Sequence, residues 1–359
     1  MKKVRTIAVR ILIVILVTIV VVLGTLYLSL VKIKNGPSES AKNLFITTIM
    51  ETGQLKFVAS LVCTPEEIEE IVGSNAMQAM DATVDTSLIS MGDSSSTDDG
   101  SIDTTEIFDE NGIRIEEISG RTFFAKMMIV KDPSQISVGT IYPWGQYGKE
   151  LDELVADCDA IAGVNGGLYV SDGNSGGSPL GVVVQNGEIT YNSPNSMTGL
   201  YMIGFDNNNI LIVKDLNGMN SQDFTNYVAE AGIRDAVAFQ DEASDADNHF
   251  VPLIINGEAR ELAGQGSGAN PRTAIGQRAD GAVLLLVTDG RGYSGHLGAT
   301  ASDLISIMQQ YGAVNAANID GGSSSSMVYK GEYEMCSVTF YYQNSSWRLP
   351  TAFVVKGGN

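Results

Sequence analysis

The sequence is poor in cysteine and histidine, and these shortages exclude some classes of site. Its 359 residues include three cysteines and two histidines. Cys63, Cys158 and Cys336 are scattered without metal-type spacing, so neither a disulfide scaffold nor a zinc site is indicated. One Cys158–Cys336 bond is permitted in an oxidising compartment but not required, and buried free thiols fit at least as well.

Positive charge is also scarce, with 22 Lys and Arg against 42 Asp and Glu. Six of the cations lie in residues 1–34, which leaves 16 against 42 in the rest of the chain. Such a charge repels nucleic acid and anionic lipid, so we predict no nucleic-acid partner. A Ca²⁺ ion would find many carboxylates, but no ligand spacing identifies a metal site. We therefore predict that no metal or cofactor is required.

One long uncharged run is present near the N-terminus. It extends from Ile11 to Val31, 21 residues, which is enough to cross a bilayer as a helix. The lack of an obvious small-x-small cleavage site favours an uncleaved signal anchor over a cleaved signal peptide. Four cations precede the run and two follow it closely, which places residues 1–10 in the cytoplasm. The sequence thus predicts a single-pass protein of the cell membrane, with the rest of the chain extracytoplasmic.

The remaining chain divides into a connecting region and one large domain. Residues 32–106 contain a helix start at Thr64-Pro65 and an acidic, Ser- and Gly-containing linker at about 81–104. In residues 107–359, short apolar runs alternate with Gly and Asn turns, and helical stretches are expected at 147–157, 221–231 and 300–311. Asn186-Gly187 and Asn256-Gly257 are strong hairpin signals. We predict an α+β domain with a mixed β-sheet and few helices, preceded by one transmembrane helix.

The segment with the clearest chemical signal is predicted to form a strand, then a helix, then a second strand. A continuous apolar strand at 282–288 ends at Asp289, a helix begins at Thr300, and a second apolar strand at 313–319 ends at Asp320. This order predicts two parallel strands joined by a right-handed crossover, whose carboxyl ends form a ligand-binding rim. Paired carboxylates there suit general acid–base work on a glycosidic bond. The simpler interpretation is that each Asp-Gly pair is a turn signal.

Several polar or glycine-rich positions accompany these two carboxylates. The loop Gly321-Gly322-Ser323 follows Asp320, and its backbone N–H groups could approach an anion. The second glycine loop, Asn165-Gly166-Gly167, follows a short strand and is either a close-approach loop or an ordinary turn. A further candidate is His296, in the loop that leaves Asp289.

Two arginines flank the first of these strands. Because the chain has few cations, Arg272 and Arg291 invite a phosphate or carboxylate ligand held bidentately. Surface ion pairs with neighbouring acids would explain them equally well.

Taken together, the motifs resemble the phosphodiester glycosidase family over about residues 120–359. The similar pieces are Val164–Tyr169, Arg272–Gly276, Asp289–Arg291, Gly298–Thr300, Asn318–Ser324 and Arg348–Phe353. The resemblance implies hydrolysis of an N-acetylglucosamine-type sugar from a phosphodiester. When the family's site residues are transferred to the matching positions of this sequence, the resemblance implies these candidate site residues: Asn165, Arg272, Asp289, Arg291 and Asp320. An acidic insertion at 240–249 departs from the family pattern and puts the exact substrate in doubt.

These observations predict an extracytoplasmic glycosidase that hydrolyses a sugar-1-phosphodiester in a surface glycan or glycoconjugate. The predicted catalytic residues are Asp320 and Asp289. The predicted substrate-binding residues are Asn165, Gly166, Gly167, Arg272, Arg291, His296, Gly321, Gly322 and Ser323. The expected partners are the glycan or sugar-phosphate substrate and the membrane. The alternative is a non-catalytic ectodomain that binds glycan or assists exopolysaccharide assembly.

Overall fold

The computed structural model describes residues 2–52, 55–90, 107–170, 172–242, 249–291, 295–337 and 345–358. The chain divides into two units, Met1–Asn75 and Ala76–Asn359. Most of the acidic linker predicted at 81–104 lies outside the described residues.

The first unit is helical. Its helices are α1 (Lys2–Lys34), α2 (Glu39–Met50), α3 (Lys56–Ser60) and α4 (Pro65–Gly73). Helix α1 contains a segment, Arg5–Lys34, that is long and apolar enough to cross a membrane. The predicted start of α4 is confirmed, because Thr64 and Glu67 form a reciprocal capping box. A small apolar core under α2–α4 includes Ile46, Ala59 and Ile71.

In its described residues, the second unit contains β-strands and three α-helices. The helices are α5 (Leu151–Asp157), α6 (Ser221–Ala231) and α7 (Ala301–Gln310). The strands are β1 (Ile113–Ser119), β2 (Phe124–Val130), β3 (Ile136–Thr140), β4 (Ala160–Asn165), β5 (Tyr169–Val170), β6 (Ser178–Pro179), β7 (Val182–Gln185), β8 (Glu188–Asn192), β9 (Leu200–Asp206), β10 (Leu211–Asp215), β11 (Ile233–Gln240), β12 (Pro252–Ile255), β13 (Glu258–Ala259), β14 (Thr273–Arg278), β15 (Val283–Thr288), β16 (Ala313–Ile319), β17 (Ser326–Tyr329), β18 (Glu332–Cys336) and β19 (Thr351–Lys356). The predicted α+β class is confirmed.

Three sheets build this unit. Their strand orders are β1-β2-β15-β14-β16-β12-β13, β10-β9-β11-β7-β8 and β18-β17-β4-β19-β3, and a small β5-β6 pair lies beside them. Within the described residues every strand pairing is antiparallel. The two Asn-Gly hairpins are confirmed: Asn186-Gly187 joins β7 to β8 and Asn256-Gly257 joins β12 to β13, with positive φ at all four residues.

One central core lies between the three sheets. It receives Val164 from β4, Val237 from β11 and Leu285 from β15, among many others. A helix packs on the outer face of each sheet: α7 on the seven-stranded sheet, and α6 and α5 on the two five-stranded sheets. Since β15 is covered on both faces, all six of its residues are buried, which explains its continuous apolar sequence.

The predicted strand–helix–strand unit is present, with one strand inserted. Strands β15 and β16 both pair antiparallel with β14, which lies between them. They are therefore parallel to each other but not adjacent. Helix α7 connects them, and it starts with a capping box between Thr300 and Asp303, as the sequence predicted.

Residues 76–90, assigned by the sequence to the connecting region, pack with the second unit. Gln78 donates its backbone N–H to the Glu261 carbonyl, and Ser90 donates to Ala279. The side chains of Ala82 and Ile89 are buried in two of the unit's cores.

Candidate active site

The two predicted catalytic aspartates lie at the same end of the seven-stranded sheet, where strands β15 and β16 both finish. Thr273, the first residue of β14, pairs with Val287 of β15 on one side and with Ile319 of β16 on the other. Asp289 and Asp320 follow these two strands directly. Because one strand lies between them, their backbones are separated by two inter-strand spacings, which is about 10 Å.

Asn165 connects this edge to a second sheet. It ends β4 and is fully buried. Its Nδ2 donates to the backbone carbonyl of Asp320 at 2.5 Å, and its Oδ1 accepts from Thr273 Oγ1 at 2.7 Å and from the Ser326 N–H at 3.2 Å. One amide thus holds the ends of β4, β14 and β17 and the Asp320 backbone together.

The Asp320 carboxyl is partly buried, and its pKa is raised to about 7. Burial is the largest cause, since a charged carboxylate loses hydration. Hydrogen bonds from Ser324 and the Gly321 backbone, and the charge of Arg291, lower this pKa but do not cancel the effect of burial. A carboxyl with a pKa near neutrality can exchange a proton at physiological pH, which is what an acid or base catalyst requires.

The turn after Asp320 is closely packed at both of its glycines. A Cβ on Gly321 would lie 3.0 Å from the Pro271 carbonyl oxygen. Gly322 has a φ of +61°, and a Cβ there would lie 2.7 Å from an Arg291 nitrogen. The guanidinium of Arg291 therefore lies over the turn, and its Nη1 donates to Ser323 Oγ at 2.7 Å. Arg291 itself is exposed, so its guanidinium can reach a ligand.

Tyr169 is a neighbour of Asp320 that our sequence reasoning did not select. Its hydroxyl lies 3.0 Å from Ser324 Oγ, the hydroxyl that bonds Asp320. Burial, and then the charge of Asp320, raise the pKa of Tyr169 above its usual range, so the phenol stays protonated. The available signal was its position at the end of the Val164–Tyr169 motif.

Asp289 is held by other protein groups. Its Oδ1 accepts from the Phe124 N–H at 2.7 Å, and its Oδ2 lies 2.5 Å from Nδ1 of His296. The side chain of Asp289 is 10% exposed and that of His296 31%. A carboxylate in this position fixes the orientation and tautomer of an imidazole, leaving the second ring nitrogen for other contacts.

Arg272 and the two glycines after Asn165 lie close to protein groups. Arg272 is 7% exposed, donates to the Gly268 carbonyl at 3.1 Å, and lies 4.8 Å from the centre of the Phe250 ring. The N–H groups of Gly166 and Gly167 both donate to Thr351, at its carbonyl and its hydroxyl. A Cβ on Gly166 would lie 2.4 Å from Thr351 Oγ1, so this glycine permits a close approach of backbone to backbone.

Clusters of metal-ligating side chains and the cysteines bear on two further kinds of chemistry. Among the described residues, no group of three or more His, Cys, Asp or Glu side chains could hold a metal ion. Cys63, Cys158 and Cys336 are not joined in disulfides, and burial raises the pKa of each. The acidic insertion lies partly outside the described residues, at 243–248; its ends are joined by a bridge between Glu242 and His249.

Comparison with known proteins gives one family and several distant structures. The family described as phosphodiester glycosidase matches residues 159–356. The SPbeta prophage-derived uncharacterized protein YomE of Bacillus subtilis (strain 168) is 42% identical over 64 residues, 18% of this chain and 10% of that protein. The match therefore spans a tenth of that relative's length.

Two solved structures have similar chains at low identity. The zebrafish N-acetylglucosamine-1-phosphodiester alpha-N-acetylglucosaminidase catalytic domain, auto-inhibited by its pro-peptide, is 18% identical, with a TM-score of 0.47, over 68% of this chain and 82% of that chain. A putative exported protein of Burkholderia pseudomallei is 16% identical, with a TM-score of 0.41, over 65% of this chain and 74% of that chain.

Proposed function

Because the chain belongs to the phosphodiester glycosidase family, we propose that it hydrolyses the bond between a sugar's anomeric carbon and the phosphate of a sugar-1-phosphodiester. The proposed substrate is an N-acetylglucosamine-type unit in a surface glycan or glycoconjugate. The observation that carries the proposal is Asp320, whose pKa is raised to about 7 beside the exposed guanidinium of Arg291.

Asp320 serves as the general base in this proposal. Its ionised carboxylate accepts a proton from water while the water oxygen bonds to the anomeric carbon. The bond from that carbon to the phosphate oxygen breaks, and the electron pair leaves with a phosphate monoester. This leaving group needs little protonation, so the step requires a base more than an acid. Ser324 and the Gly321 N–H orient the carboxylate for this role.

Arg291 holds the phosphate. Its guanidinium carries a permanent charge and several donors in a planar fork, which matches phosphate oxygens. The contact with Ser323 keeps it over the turn that follows Asp320. Asp289 acts through His296 in this proposal: it fixes the imidazole at the same edge of the sheet, where the ring can donate to a sugar hydroxyl or to the phosphate. Arg272 and Asn165, whose described contacts are internal, position the backbone around the site.

The direct test is incubation of the full chain, in detergent, with a panel of sugar-1-phosphodiesters, following release of the free sugar. Arg291→Ala is expected to raise KM for N-acetylglucosamine 1-(methyl phosphate) about 10-fold or more, and to change KM for an aryl N-acetylglucosaminide little. Only the first substrate offers phosphate oxygens to the guanidinium.

The matched control for this variant is Arg278→Ala, at the opposite end of β14, where the arginine pairs with Asp280. It should behave like the wild type with both substrates. Equal effects of Arg291→Ala on both substrates would show that Arg291 does not bind phosphate. Binding of the panel without sugar release would instead support the non-catalytic glycan-binding alternative.

We further propose that α1 anchors the chain in the cell membrane with the second unit outside the cytoplasm. The support is the charge distribution, since Lys2, Lys3, Arg5 and Arg10 precede the apolar segment. An alkaline phosphatase reporter, active only outside the cytoplasm, should be active when fused after Asn359. Activity of a cytoplasm-restricted reporter at the same position would contradict this orientation.

A further inference from the structure

An aromatic loop leaves the β18-β17-β4-β19-β3 sheet at the end where β4 finishes in Asn165. Strand β3 ends at Thr140, which pairs with Thr351 of β19, and β4 ends at Asn165, which pairs with the next residue of β19. Residues 141–148, which follow β3, therefore start at the edge where Asn165 holds Asp320. Since β19 separates β3 from β4, the start of this loop lies about 10 Å from Asn165.

This loop is uncharged and rich in exposed aromatic surface. Residues 141–148 contain Tyr142, Trp144 and Tyr147 and no Asp, Glu, Lys or Arg, in a chain of net charge −20. Tyr142 is 51% exposed and Tyr147 59%. Trp144 lies edge-to-face with Tyr142, at 5.6 Å between ring centres, and with Tyr191 of β8, at 6.3 Å. The four side chains are termed the aromatic platform below.

Hydrogen bonds hold the Trp144 indole and the end of the loop in place. The Trp144 indole N–H donates to the Thr190 carbonyl at 2.8 Å. At the end of the loop, the Gly148 N–H donates to Ser175 at 2.6 Å, and Arg348 lies 5.7 Å from the centre of the Tyr147 ring. An indole that is already held in place binds a ligand with little loss of conformational entropy.

We propose that the aromatic platform is a binding subsite for neutral sugar units of a glycan that extends beyond the cleaved bond. The C–H face of a pyranose packs against an aromatic ring, and the two phenol hydroxyls and the Gln146 amide leave polar groups for sugar hydroxyls. The charge balance favours a neutral ligand over an extended polyanion, because the chain is strongly acidic and residues 141–148 carry no charge; Arg348 adds one positive charge beside Tyr147.

Other occupants are distinguished by charge and by the binding test. An anionic membrane surface is usually bound through clusters of Lys and Arg, which residues 141–148 lack. Tyr and Trp are also enriched at protein interfaces, so self-association is one outcome of the test. The placement of the subsite along the substrate rests on the proposed function, but sugar binding itself does not.

The binding test uses Trp144 as its reporter. The chain has two tryptophans, so Trp347→Phe leaves Trp144 as the only indole. The full chain carrying Trp347→Phe, in a sugar-free detergent, is titrated with neutral tetrasaccharides of N-acetylglucosamine, glucose and mannose while its fluorescence is recorded. We expect a saturable change with at least one tetrasaccharide, and a weakening of about 10-fold or more when Tyr142→Ala and Tyr147→Ala are added.

Two controls separate ring stacking from general damage. Tyr142→Phe with Tyr147→Phe keeps the rings and should retain most of the binding. Phe57→Ala removes a comparably exposed aromatic side chain, 61% exposed, from the first unit and should bind like the parent protein. If no tetrasaccharide changes the fluorescence, or if the Ala variants bind normally, the platform is not a sugar subsite. Binding to lipid vesicles or self-association in place of sugar binding would overturn the proposal equally.

A kinetic arm links the subsite to the reaction. The two Ala substitutions should raise KM for a tetrasaccharide 1-(methyl phosphate) about 10-fold and leave the monosaccharide 1-(methyl phosphate) unchanged. Equal effects on both substrates would contradict the subsite. If neither substrate is hydrolysed even by the wild type, the proposed function fails, and the fluorescence titration still decides whether the platform binds sugar.

Discussion

Replacing Asp320 with Asn should lower kcat on a sugar-1-phosphodiester by roughly 10²-fold or more, with little change in KM. Asparagine has nearly the same size, but it cannot accept the proton of the attacking water. The Asp320 backbone carbonyl still accepts from Asn165, so the turn keeps its anchor. The measurement is initial-rate kinetics on N-acetylglucosamine 1-(methyl phosphate), with a thermal melt of the same sample.

The melt gives this prediction a second readout. Burial raises the pKa of Asp320 from its ordinary value of 3.8 to about 7. The folded state therefore binds a proton more tightly than the unfolded state, and the resulting stability is full below about pH 4 and is lost as pH rises through about 7. At pH 8 the wild type buries an ionised carboxylate, so Asp320→Asn should melt at the same or a higher temperature.

The control is Asp280→Asn, in the turn between β14 and β15 at the opposite end of the sheet. It should keep the wild-type kcat. A variant Asp320→Asn that melts normally and turns over at the wild-type rate would remove Asp320 from the mechanism, and the Asp289–His296 pair would be the next candidate.

The pH dependence of kcat/KM should show a loss of activity on the acid side, with a midpoint at about pH 7. A general base works only when ionised, so the rate rises as pH passes through the pKa and then levels off. Two units below that pKa only about 1% of the carboxyl is ionised, which predicts a rate about 100-fold lower at pH 5 than at pH 8. Initial rates at low substrate concentration across pH 5–9 measure this profile.

Ser324→Ala should move the profile to higher pH. The Ser324 hydroxyl lowers the pKa of Asp320 by donating a hydrogen bond to its charged form. Without this hydroxyl, burial should raise the pKa of Asp320 further. The control Ser306→Ala changes an exposed serine of α7 and should leave the midpoint in place.

For the wild-type protein, a rate that falls with rising pH through about 7 would assign Asp320 as an acid instead. A rate that does not depend on pH would exclude Asp320 as the titrating group.

Local features of the fold were predictable because their causes lie within a few residues. The hairpins at Asn186-Gly187 and Asn256-Gly257 follow from the positive φ that these turns require. The capping box at Thr300 and the apolar sequence of β15 gave a helix and a buried strand in the correct places. Helix α5 was expected from residue 147 but begins at Leu151, since residues 147–149 make bridges and loop contacts instead.

Pairing between distant segments was not predictable in the same way. The two Asp-bearing strands are parallel, but nothing between residues 283 and 319 indicates that β14 lies between them. A strand has two edges, and which neighbour each edge accepts depends on the whole sheet. The same holds for Tyr169, whose link to Ser324 joins residues 155 positions apart.

The sequence by itself determined the apolar N-terminal helix, the acidic character of the chain, the turns, and the positions of Asp289 and Asp320 after their strands. These depend on composition and on local backbone preferences. Only the tertiary structure decided the surroundings of the charged groups: it buried Asp320 and raised its pKa, placed Asp289 against His296, and placed the guanidinium of Arg291 over the turn after Asp320 and that of Arg272 over the Phe250 ring. The reason is that burial and hydrogen bonding set a group's pKa and its reach, and both are properties of the surroundings that the folded chain assembles from distant residues.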